Sequence, residues 1–210
     1  MTSSSPTRGA LRLGAWVAVL LGCAIQPLSA QAHRVTATVD SLRNIQSVVP
    51  LHGPPGTEVS ISTENLPLQA KVHVGVGSLG AGFETIGEAW QGEWGDVEAT
   101  VRIPANTSWE RPIFLIAFNA IFAPIGISEP FHVTDEEGRV QRTGIVGASS
   151  GSCVLLVDQD DQTYGLTGET GRIQEGDRVV LQGVFHEEGV CTDMPTITVS
   201  RIIGRRRGGS

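Results

Sequence analysis

The chain has 210 residues, 40% hydrophobic and only 5% aromatic, with 22 acidic against 15 basic side chains. That length accommodates one or two small domains; charged residues at 18% are too few for a disordered polyampholyte, and 26 Gly with 11 Pro indicate a turn-rich chain. A net charge of −7 speaks against nucleic acid as a main partner, because phosphate binding needs a basic surface.

Residues 1–12 carry Arg8 and Arg12 and no acid, and an apolar run follows from Leu13 to Ile25. Pro27 ends the run, and Ala30-Gln31-Ala32 supplies the small residues that signal peptidase requires. The pattern predicts a secretory signal peptide over residues 1–32, with a run shorter than the ~20 apolar residues of a spanning helix. Leu20-Leu21-Gly22-Cys23 also resembles a bacterial lipobox, in which Cys23 is lipidated and gives the protein a membrane anchor. Cleavage after Ala32 and lipidation at Cys23 are alternatives. Either one predicts an exported protein, periplasmic or extracellular.

Loss of residues 1–32 removes Arg8 and Arg12 and leaves 13 basic against 22 acidic residues, or −9. It also leaves two cysteines, Cys153 and Cys191. In an oxidising compartment an even pair predicts one disulfide, closing a loop of about 38 residues and stabilising by about 4 kcal/mol in the chain-entropy model.

Beyond residue 32 no stretch holds a 3.6-residue apolar period, and alternation at period two dominates. Strands are predicted at 35–39, 59–62, 72–76, 97–103, 113–118 and 131–133. In the fourth, Val97, Ala99, Val101 and Ile103 share one face, with Glu98, Thr100 and Arg102 on the other. Turn residues separate them, as at Gly53-Pro54-Pro55-Gly56 and Ala123-Pro124-Ile125-Gly126. Six or seven short strands in about 90 residues predict an all-β immunoglobulin-like β-sandwich.

Val48 to Ile61, with its Pro50 and its Gly53-Pro54-Pro55-Gly56-Thr57 turn, followed by Glu64-Asn65-Leu66, resembles the opening of IPT/TIG domains. Leu66 stands where that family usually has an aromatic. The resemblance covers residues 44–134 and implies a spacer or interaction module of extracellular and envelope proteins. It implies no activity.

Asp135-Glu136-Glu137-Gly138 reads as a solvated hinge with few contacts across it. Five more strands are predicted at 142–148, 153–158, 162–166, 178–185 and 196–203, in a second unit over 139–203. Their number and spacing predict a small OB-like five-stranded barrel, whose thin core a disulfide would reinforce. Tyr164, the Gly176-Asp177-Arg178-Val179 turn and Cys191 resemble a small bacterial envelope domain of unknown function. Residues 204–210, with Arg205, Arg206 and Arg207, read as a basic flexible tail; a sharper alternative is contact with anionic lipid or envelope polymer.

Several motifs imitate chemistry without its context. Gly75-Val76-Gly77-Ser78-Leu79-Gly80 follows a strand as a dinucleotide fingerprint does, but no helix is predicted to receive a pyrophosphate, so it reads as a glycine-rich loop. Gly147-Ala148-Ser149-Ser150-Gly151 matches the hydrolase elbow but precedes a strand rather than a helix. Asp158, Asp160 and Asp161 cluster as calcium ligands do, yet the EF-type spacing fails and a solvated hairpin is the plainer reading. The histidines 33, 52, 73, 132 and 186 form no zinc pair. No catalytic residue, cofactor or metal is expected.

Trp90, Trp94 and Trp109 remain. Gln91-Gly92-Glu93 reads as a turn bringing Trp90 and Trp94 to one loop, where aromatic rings stack on sugars or anchor a protein partner. Burial in the core is the competing reading. The expectation is a non-catalytic exported envelope module that binds protein or glycan, with membrane contact if Cys23 is lipidated. Capture of a small molecule or oligosaccharide by the barrel is the alternative; nine acids against four bases in residues 139–200 make nucleic acid its weakest ligand.

Overall fold

The computed structural model describes residues 45–208, apart from 65, 69–70, 79–80, 150–152 and 192–193. The expected signal peptide, Cys23 and the strand expected at 35–39 lie outside the described residues. Those described form thirteen strands and no helix, so the protein is all-β as expected.

The first eight strands are β1 (Ile45–Val49), β2 (His52–Gly53), β3 (Glu58–Thr63), β4 (Lys71–Gly77), β5 (Phe83–Trp90), β6 (Val97–Arg102), β7 (Ile113–Phe118) and β8 (Pro124–Val133). Their order is β5-β4-β7-β8-β1-β3-β6, with β2 beside β8. Among the described residues the four-stranded and three-stranded parts are joined by strand pairing where β1 runs parallel to β8 at Ile45 and Ser128. They fold over one another as two layers.

The alternation seen in the sequence supplies the inner faces. Val59 and Ile61, Val97 and Val101, and Val72, Val74 and Val76 are all buried in one core with Leu115, Phe131 and Val133. At the turn opening β3, Gly56 adopts φ 91°, a left-handed conformation that favours glycine, and Thr57 Oγ1 donates to Pro54 O at 2.6 Å.

Strand β5 occupies residues where only glycine punctuation was read. It is an edge strand whose one fully buried side chain is Ala89, so its sequence carries no alternating signal. Gly75 and Gly77 of the fingerprint serve sheet packing instead, and Gly80 lies outside the described residues. A Cβ on Gly75 would lie 2.8 Å from the Phe118 ring, and one on Gly77 2.6 Å from Gly82 O.

The second unit comprises β9 (Arg139–Val146), β10 (Val154–Asp158), β11 (Thr163–Gly168), β12 (Arg178–His186) and β13 (Thr196–Arg206). They close a barrel in the order β10-β11-β13-β12-β9, antiparallel except for β11 beside β13. This is the expected OB-like five-stranded barrel, filled by Val140, Leu156, Leu166, Leu181, Phe185 and Ile197 among others. Cys153 and Cys191 form the expected disulfide, with Cα atoms 6.0 Å apart, tying the start of β10 to the β12–β13 loop.

Two expectations are corrected. Residues 204–206 are not a flexible tail: β13 runs on to Arg206, pairing with Arg178 of β12, and Arg205 Nε reaches Asp177 Oδ2 at 2.7 Å. The barrel offers β13 a backbone partner along that whole length, which the charge of the segment conceals. Nor is 135–138 a loose hinge. Asp135 accepts the backbone N–H of Arg139 at 2.8 Å and its Nε at 2.7 Å, closing a tight turn between β8 and β9.

Candidate functional site

Strand polarity gathers three loops at the end of the sandwich remote from the barrel. Lys71 opens β4 opposite Trp90, which closes β5, and Phe118 closes β7 opposite Pro124, which opens β8. The β3–β4, β5–β6 and β7–β8 loops therefore share one tip. Leu66 N–H donates to Gly95 O at 3.0 Å, and Gln91 Nε2 to Pro67 O at 3.2 Å, joining the first two loops.

The tip exposes Leu68, Trp90, Trp94, Ile121 and Phe122. Trp90 is 75% and Trp94 82% exposed, so neither belongs to the core. Trp109 does pack against the sandwich core. Gly95 N–H donates to Gly92 O at 3.2 Å and Gly92 N–H to Asp96 O at 2.9 Å, so the turn between the two rings is closed by its own backbone.

Beside Trp90 the sheet surface is polar. Lys71 pairs with Glu88, and Glu88 Oε1 lies 3.2 Å from His73 Nδ1. The Lys71 ammonium holds the Glu88 carboxyl below the usual carboxylate range. His73 in turn stacks on Phe122 with ring centroids 4.7 Å apart. The tip thus combines protruding rings with an ion pair and an imidazole, groups suited to hydrogen bonding at the rim of an apolar contact.

A second cluster, unread in the sequence, fills the junction between sandwich and barrel. Arg142 is completely buried and donates to Trp109 O at 2.9 Å, Gln141 O at 2.7 Å and Tyr164 Oη at 3.2 Å. Tyr164 Oη donates to Asp158 Oδ2 at 3.2 Å. His132 Nδ1 lies 3.4 Å from both Arg142 Nη2 and Tyr164 Oη, and its ring stacks on Phe185 at 4.2 Å.

Burial, reinforced by the Arg142 charge, holds His132 well below the usual histidine range, so its ring is neutral and can accept from the guanidinium. Burial likewise pushes the Asp158 carboxyl and the Tyr164 phenol up. Arg111 of the sandwich clamps Asp160 of the barrel through both its Nε, at 3.0 Å, and its Nη2.

These contacts overturn the solvated-hairpin reading for Asp158 and Asp160, while Asp161 is exposed in the turn as expected. Asp158 and Asp160 are buried, and Asp158 Oδ1 accepts the N–H groups of Asp160 at 2.8 Å and Gln162 at 2.9 Å. The junction is a closed, mutually satisfied network, inaccessible to a substrate, and its role is to fasten two units. One signal was available: Val140, Arg142, Gly144 and Val146 share the inward face of β9, so alternation alone puts a guanidinium inside.

The remaining motifs stay apart. Ser149 is exposed in the β9–β10 turn, with 150–152 outside the described residues. Among the described residues no three His, Cys, Asp or Glu side chains converge as metal ligands, and no helix is long and apolar enough to cross a membrane. Comparison with known proteins finds no matching family model and no matching curated protein.

Proposed function

We propose that the protein is a non-catalytic, exported cell-envelope module that recognises a protein or glycan partner through its Trp90–Trp94 tip. The observation that carries this reading is the exposure of both rings on one backbone-closed turn, among three loops that expose Leu68, Ile121 and Phe122 as well. Exposed apolar clusters of this kind mark interaction surfaces, since leaving them in water favours aggregation unless a partner covers them. The disulfide is compatible with export. The Gly53–Thr57 turn leading into β3 of a two-layer sandwich supports an IPT/TIG-like spacer or interaction module.

The test is binding by Trp90→Ala and Trp94→Ala variants against envelope protein fractions and a glycan array. Both should keep the melting temperature of the unaltered protein and lose retention. Retention unchanged by both substitutions overturns the assignment.

A further inference from the structure

The barrel carries a second surface, at the end of its strands remote from the junction, and this one is basic. Ile145 of β9 pairs with Arg178 of β12, and Arg178 with Arg206 of β13. Directly paired residues share one side of a sheet, so these three side chains form an outward row across three adjacent strands, and all three are exposed. Further along β13, Ile203 and Arg201 are also exposed, and Arg207 follows the strand.

Two features of the row are unexplained by folding. Like charges directly opposite one another destabilise a strand pair, and Arg178 faces Arg206. Neither of them, nor Arg201 or Arg207, is ion-paired among the described residues; Asp177 is taken by Arg205, and Glu175 in the adjoining turn is exposed. The chain as a whole is acidic, yet no acid interrupts this row. The second feature is that exposed Ile145 and Ile203 lie among the arginines.

We propose that this face docks on an anionic phospholipid bilayer. The guanidinium groups of Arg178 and Arg206 reach lipid phosphates, and Ile145 and Ile203 enter the headgroup layer. Charge complementarity requires an anionic partner, because the paired arginines repel one another until phosphate oxygens lie between them. The interleaved apolar side chains select a bilayer over a free polyanion, which offers them nothing to bury against. The acidic remainder of the molecule is repelled by such a surface, so only this end approaches it. The aromatic tip, at the other end of its own sheet, stays free. This inference does not rest on the tryptophan reading.

The experiment is co-sedimentation of the whole protein with vesicles of phosphatidylcholine alone and of phosphatidylcholine with about one-third phosphatidylglycerol. Binding should require phosphatidylglycerol and weaken as salt shortens the Debye length. R178S/R206S should bind about 30-fold more weakly while melting no lower than the unaltered protein, since it removes a repulsion. R178K/R206K, which keeps the charge, should retain most of the binding. I145S, with every arginine in place, should weaken vesicle binding but not binding of inorganic polyphosphate. W90A/W94A should bind vesicles normally, which separates this test from that of the tip. Binding of polyphosphate without binding of anionic vesicles, or equal vesicle binding by R178S/R206S or by I145S, overturns the proposal.

Discussion

The tip and the junction invert the usual distribution of residues. At the junction, Arg142, His132, Tyr164, Asp158 and Asp160 are buried; at the tip, Leu68, Trp90, Trp94, Ile121 and Phe122 are exposed. The buried polar groups are tolerable because each finds a partner inside the molecule. At the tip Trp90 and Trp94 face water, and Phe122, stacked on His73, is partly covered. Burial with full pairing marks a structural fastening, and exposure without cover is what the proposed recognition surface rests on.

The largest effect should come from breaking the fastening. Arg142→Ala leaves Tyr164, His132 and the Trp109 carbonyl without their donor, and removing one member of a buried charged network costs about 3–5 kcal/mol. Urea denaturation should show that loss, within a single transition in which sandwich and barrel unfold together. Two separate transitions in the unaltered protein would contradict the fastening.

Next comes the disulfide. Cys153→Ser with Cys191→Ser should cost about 4 kcal/mol, read by the same denaturation, through the looser unfolded chain. Thiol labelling of the denatured, unreduced protein should find neither cysteine free.

A smaller effect tests His132. Folding depresses its pKa, so below about pH 6.5 the unfolded chain takes up a proton that the native protein refuses. Stability should then fall as pH drops, by at most about 1.4 kcal/mol per pH unit for this one group. His132→Gln should flatten the slope between pH 6.5 and 5 even if it lowers stability throughout. A slope unchanged by that substitution would place the proton uptake elsewhere.

The smallest stability effect belongs to the tip. Trp90→Ala and Trp94→Ala should each change stability by less than about 0.5 kcal/mol, because rings in water lose no packing when removed. A core tryptophan would cost about 3–5 kcal/mol on truncation. Calorimetry of these two proteins beside Arg142→Ala therefore measures the contrast between the regions directly.

Much of this molecule was legible before folding. Alternation at Val97–Ile103 and Val72–Val76 defined strands and their inner faces, because a two-residue period is a local property of an extended chain. The five barrel strands, the pairing of Cys153 with Cys191, and the turn joining Trp90 to Trp94 also followed from spacing and residue type. Strand β5 did not, since an edge strand buries too little to impose a pattern.

Only the tertiary structure decided what each polar residue meets. Asp158 and Asp160 look solvated in sequence, yet Tyr164 and Arg111 approach them from 6 and 49 residues away and complete their hydrogen bonds in the interior. Arg178 and Arg206 stand 28 positions apart, and become neighbours because a closed barrel pairs β12 with β13. The sequence by itself determined where the chain extends and turns, since φ/ψ preference and alternation act over a few residues. Which charges are buried, which face one another and which rings remain in water depends on strand order and register, and these arise only when distant segments pack.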